Sequence, residues 1–238
     1  MKKVTANNLY QSASKLHSRT IYAAKIEKFL EVFFDKRVQE IKKWEKTENR
    51  NYRKKFTALF NSLLLRGLYI ELCVIFDPAK KVSQYNIDSL LKDAATFIGQ
   101  NKSHSALFKR PDRLKEIDFD GFLTLSSERI DKDNLCDQVV IKLMKQEYTE
   151  FTTVNAKNLK RLRYLRDKFL VHADDDYQPG FTERNFLAKT TLWCFCFVNL
   201  LMHLFTESGA RHFAGDSREN ILSQYVGDYS NLIDDLIS

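Results

Sequence analysis

Apolar side chains return along most of this chain at the short steps that line one face of an α-helix. The first such run sets Tyr22, Ile26, Phe29, Phe33, Val38, Ile41 and Trp44 at three- to five-residue intervals, with Lys25, Lys28, Lys36 and Lys43 between them. After a polar start, that alternation predicts an amphipathic helix. Thr47 to Asn51 is a linker. A more apolar helix is predicted from about Tyr52 to Phe76, broken in its later half only by Arg66 and Glu71, which places it at the core. Asp77-Pro78 ends it, because proline disfavours helical geometry in the residue before it and has no amide hydrogen of its own. Asn86 has the side chain of an N-cap and opens a third helix through Leu90, Leu91, Ala94, Phe97 and Ile98 to Gly99.

From Asn101 to Asn134 the periodicity fails and Pro111, Gly121 and several aspartates and serines intervene, so an irregular segment is expected at about 101–134. A fourth helix is predicted from near Asp133 with Leu135, Val139, Leu143 and Met144 on its apolar face. A fifth is predicted from about Asn155 with Leu159, Leu162, Leu165 and Phe169. Asp174 to Gly180 reads as a loop, Thr182 as the cap of a sixth helix running to about Thr206, and Asp216 with Glu219 as a capping box for a seventh through Tyr225, Tyr229, Leu232 and Leu236, about 217–236. The expectation is an all-α chain in which residues 1–238 form one domain.

Composition supports long helices, since 7 glycines and 3 prolines in 238 residues leave little of the usual punctuation of β-turns. The apolar share of 44% and charged share of 29% are those of an ordinary globular chain, which argues against disorder. Cys73, Cys136, Cys194 and Cys196 show no spacing that completes a tetrahedral zinc site, and unpaired thiols suit a reducing cytoplasm. Met1 to Lys28 has no continuous apolar stretch like that of a secretory signal. The apolar segment Leu192 to Phe205 contains Asn199 and His203 and falls short of the length of a spanning helix, so it reads as a buried helix. A net charge of +7 is compatible with a polyanionic partner but is also common for solubility alone.

One segment looks chemically specific. Lys157, Lys160, Arg161, Arg163, Arg166 and Lys168 fall within twelve positions that hold one acid, Asp167, and His172 follows. Such a face attracts polyphosphate, or is simply solvated. Arg166-Asp167-Lys168-Phe169-Leu170-Val171-His172 resembles the signature of the HEPN superfamily: an arginine, a polar residue and, four to six positions after the arginine, a histidine. Upstream, the stretch Cys73 to Ala79 and the following Asn86 to Leu91 look like the helix end and next helix of AbiU-type HEPN proteins associated with abortive infection, which pair that block with a downstream arginine, aspartate and histidine. The resemblance covers roughly Glu27 to Phe205, with an HEPN-like core at about 22–206. It departs at the tyrosine that one HEPN subgroup carries two positions after the histidine as a nucleotidylation site. Asp174 stands there, and the nearest tyrosine is Tyr177.

The resemblance implies a cytoplasmic, metal-independent and cofactor-free endoribonuclease, working as a homodimer on RNA, with an antitoxin or nucleotidyltransferase as a further partner and no membrane role. Metal-free cleavage needs a base for the ribose 2′-hydroxyl, an acid for the departing 5′-oxygen and positive charge at the phosphorane. His172 would act as base or acid, Arg166 would grip phosphate oxygens, and Asp167 would orient Arg166. Lys160, Arg161, Arg163 and Lys168 would bind the RNA backbone. Six positions on an ideal helix turn Arg166 and His172 about 120° apart, so they share a site only through helix distortion, a helix end or a two-fold axis. His172 also continues the stripe Leu162, Leu165 and Phe169, as a partly buried core histidine would. Beside this stand a non-catalytic module that binds RNA, a nucleotide or a protein, and a structural dimer using Trp193, Phe195, Phe197, Leu200 and Leu201 as its association surface. His17, His104 and His212 lie in polar sequence surroundings, and His203 on an apolar helix.

Overall fold

The computed structural model describes residues 4–44, 50–77, 85–100, 136–171 and 181–205. Among these the chain is all-α, with no strand. Its helices are α1 (Ala6–Trp44), α2 (Arg50–Phe76), α3 (Ile87–Gln100), α4 (Asp137–Val154), α5 (Ala156–Val171) and α6 (Phe181–Phe205). The expected irregular segment at 101–134, the loop Asp174 to Gly180 and the helix at 217–236 lie outside the described residues.

The first helix starts well before the run at Tyr22. Thr5 Oγ1 accepts the Asn8 N–H at 3.2 Å and caps it. Leu9, Ala13, Leu16, Thr20, Ala23, Leu30 and Phe34 are buried along it at alternating steps of four and three, broken only at Glu27. This seam uses alanines and a threonine, whose hydropathy is weak, while Tyr22 is 55% exposed and faces away from the core. With 39 residues α1 extends about 58 Å and packs against both α2 and α6, and also touches α3. Gly67 on α2 lets it approach, since a Cβ there would stand 3.3 Å from Ile26 Cδ1.

The cap at Asn86 is present: its Oδ1 accepts the Ser89 N–H at 2.7 Å, and α3 packs across α4. The fourth helix begins at Asp137, not near Asp133, and Cys136 at its start supplies no side-chain cap. Its buried positions are Val140, Ile141, Met144, Glu147 and Phe151, whereas Val139 is 37% exposed and Leu143 only partly buried. Apolar residues at 139–141 and 143–144 leave the helical phase undecided. The Trp193 indole N–H, donating to Glu147 Oε1 at 3.1 Å, requires the face that turns Glu147 inward. Asn155 closes α4, with its N–H and its side-chain amide both donating to the Phe151 carbonyl at 3.0 Å, and its own carbonyl accepts the Leu159 N–H at 2.9 Å to open α5.

Trp193, Phe195, Phe197, Leu200 and Leu201 on α6 are all buried, so the proposed association surface is instead the centre of the core. Trp193 stacks on Phe151 at 3.9 Å, on Phe197 at 4.7 Å and on Phe76 at 6.0 Å between ring centroids. These rings tie the end of α2 to α4 and α6, each contact adding about 0.5–1.5 kcal/mol beyond burial. Thr182, expected as a cap, already lies inside α6. The helix runs close to the Thr182 to Thr206 expected, but its apolar part is longer than the Leu192 to Phe205 segment: Lys55–Phe76 and Glu183–Met202 are each long and apolar enough to cross a membrane by length and composition, and 50% and 67% of their most apolar eighteen residues, respectively, are buried within the fold.

Candidate functional site

The chemically distinctive place is the junction of the α2 C-terminus with α5, built around Asp77. Arg163 and Arg166 lie one helical turn apart on the same side of α5 and both reach it. Arg163 Nε donates to Asp77 Oδ1 at 3.0 Å and Arg166 Nη1 to Asp77 Oδ2 at 2.6 Å. Arg163 Nη2 also donates to the Phe76 carbonyl at 3.1 Å, placing positive charge on the open end of α2, where the helix dipole favours it. Arg166 Nε donates to Asp167 Oδ1 at 2.9 Å. The aromatic packing of Phe76 holds this end of α2 in place, so Asp77 sits on a rigid element.

Electrostatics follow from the pairing. Burial pulls the Arg166 guanidinium down, but hydrogen bonds to Asp167 and Asp77 outweigh it and the net shift is upward, so this cation is permanent. The Cys73 thiol lies nearby, and burial pushes it up to about 12 against the opposing charge of Arg166. At neutral pH Cys73 is therefore a packed thiol and not a nucleophile.

The basic stretch divides in two. Arg163 turns inward to Asp77 and Phe76 rather than outward to a ligand, and the Arg166 fork, expected to grip phosphate, already holds Asp77 and Asp167 with two of its nitrogens. Arg161 is outward, its side chain 57% exposed, with a long 3.7 Å pair to Glu183, whose Oε1 accepts the Tyr69 hydroxyl proton at 2.8 Å. Lys157, Lys160, Arg161 and Tyr164 form the exposed strip of α5, Tyr164 at 61%, and half-buried Lys168 continues it. Asp167 is 63% exposed at its edge. His172 lies outside the described residues, as do His104 and His212. His17 is not in polar surroundings: its ring stacks on Phe195 at 6.1 Å, and burial lowers its pKa against an opposing hydrogen bond with Asn199.

Sequence reasoning did not assign Asp77 a role, although it lies in the upstream block that carried the resemblance. It also passed over Tyr164, whose step of three from Arg161 was the available signal. Among the described residues no group of three or more histidine, cysteine, aspartate or glutamate side chains is placed to hold a metal ion. No family model matches the chain, and no curated protein or solved structure is significantly similar to it.

Proposed function

We propose that this chain is an HEPN-type endoribonuclease of the abortive-infection kind, cleaving RNA without a metal by attack of the ribose 2′-hydroxyl at a site formed by two copies of the Arg166/His172 motif. The observation that carries the reading is the convergence of the two stretches on which the resemblance rests. They are separated by more than eighty residues in sequence, yet Asp77 of the first bonds Arg166 of the second, and also Arg163 one helical turn before it. Arg166 is thereby held in one orientation with a permanent charge, which is what a group stabilising a phosphorane requires. Asp167 completes its alignment, and His172 supplies the proton transfer. The outward strip of Lys157, Lys160, Arg161 and Tyr164 offers phosphate-seeking cations around a ring on which a base can stack. On this reading the protein acts in the cytoplasm, and an antitoxin or nucleotidyltransferase partner restrains it.

A second reading draws on the same cluster. With two of its nitrogens engaged by carboxylates, Arg166 can serve as a structural clamp in a module that binds RNA, a nucleotide or a protein without cutting. Purified protein, Arg166→Ala and His172→Ala incubated with mixed RNAs in excess chelator distinguish the two. The nuclease reading expects chelator-resistant cleavage that falls about a hundredfold or more in either variant. Salt-dependent binding with intact RNA after long incubation selects the module, and cleavage unchanged in both variants ends the catalytic assignment.

A further inference from the structure

Glu27 breaks the buried seam of α1. The alternating steps of four and three that bury Leu9, Ala13, Leu16, Thr20 and Ala23 arrive next at position 27 and continue to Leu30 and Phe34, so a carboxylate occupies a position the pattern gives to the core. Beside it, α1, α2 and α6 leave a cavity of about 280 Å³. Its apolar walls include Leu30, Phe34, Leu65, Leu68 and Leu187, and Glu27, Glu31, Arg184 and Asn185 supply its polar groups. A volume near the low end for ligand pockets suits a fragment-sized molecule.

The other charges at the cavity are already answered. Glu31 pairs with Lys28 at 2.5 Å, with both side chains about half exposed. The Arg184 guanidinium lies over the Phe34 ring, 4.1 Å from its centroid. Among the described residues no side chain donates a hydrogen bond to Glu27. Its carboxyl is pushed up to about 7, first by burial and then by the charge of Glu31, with Lys28 opposing. Leaving a carboxylate in such a place is costly unless something arrives to pair with it.

We propose that this cavity is a binding site for a small organic cation, an amidinium or ammonium group on a flat apolar body, with Glu27 as its counter-charge. The leucine walls and Phe34 take the apolar body, and Glu27 accepts the N–H donors, in two parallel bonds where the group is an amidinium. An anion would meet two glutamates against one guanidinium already seated on the Phe34 ring, and a neutral ring would leave the carboxylate unanswered. The inference uses none of the Asp77 cluster and stands apart from the nuclease reading.

Benzamidine is the probe, with benzamide and benzoate as its neutral and anionic counterparts, added at pH 8 to full-length protein carrying labelled leucine methyls. Benzamidine is expected to move the methyl signals of Leu30, Leu65, Leu68 and Leu187 with a Kd near millimolar, while benzamide and benzoate bind at least tenfold more weakly. Glu27→Gln, close to isosteric, should weaken benzamidine at least tenfold, and Ala188→Leu, which fills the cavity from α6 while keeping Glu27, should abolish the methyl shifts. Benzamide binding as tightly as benzamidine, equal binding to Glu27→Gln, or methyl signals that do not move up to the solubility limit would each overturn the proposal.

Discussion

Two acidic residues of this bundle live in opposite circumstances. Asp77, at the end of α2, is over-provided: two guanidiniums bond its two oxygens, and its side chain is still 35% exposed. Glu27, inside the α1 seam, has apolar walls, a neighbouring acid and, among the described residues, no hydrogen-bond donor. The first arrangement locks α2 to α5 and fixes the direction of Arg166. The second sets a carboxyl in the wall of a cavity. The contrast teaches that a bundle of this kind tolerates a carboxylate near its core in two ways, by bringing arginine to it from another helix or by keeping it neutral until something else arrives.

The largest effect expected from breaking the contrast is at Asp77. Asp77→Ala removes the carboxylate that Arg163 and Arg166 share, leaving Arg166 with Asp167 alone and Arg163 with the Phe76 carbonyl, and should lower unfolding free energy by about 2–3 kcal/mol, read by urea denaturation. Glu27→Gln should act with the opposite sign. Because the folded protein holds the Glu27 proton up to about pH 7 and the unfolded chain releases it near 4.5, stability falls as pH rises between those values. The variant lacks that fall, so at pH 8 it should be more stable than the parent by about 1–2 kcal/mol, with no charge-dependent difference below pH 4. A flat pH profile in the parent over that window would refute the neutral-carboxyl account.

Smaller effects sharpen the same contrast. A double-mutant cycle on Asp77 and Arg166 should return a coupling of about 1 kcal/mol, while the same cycle on Glu27 and Arg184, which share a cavity but no bond, should return about zero. Arg161→Ala should change stability by less than about 0.5 kcal/mol, because its pair with Glu183 is long and exposed. If the outward strip of α5 binds RNA, that same change weakens RNA binding and shallows its salt dependence without unfolding the protein.

Much of the architecture was readable from periodicity, because helices that bury one face must repeat apolar residues near the helical period. The α2 and α5 stripes and the Asn86 cap show it. The α1 start was not, because a seam of alanine and threonine buries its face with little hydropathy to mark it. The phase of α4 was not, because contiguous apolar residues satisfy several faces and only the Trp193 indole selects the one carrying Glu147. At the candidate site, the sequence placed Arg166 and Asp167 side by side and marked α5 as basic.

Local sequence by itself determined that this chain is helical and where its charges cluster, since both follow from side-chain order along a regular backbone. Only the tertiary structure decided which of those charges are spent on one another. Asp77 meets Arg163 and Arg166, and Glu27 meets no hydrogen-bond donor among the described residues, because pairing depends on which helices pack together, and that is set by the whole core at once.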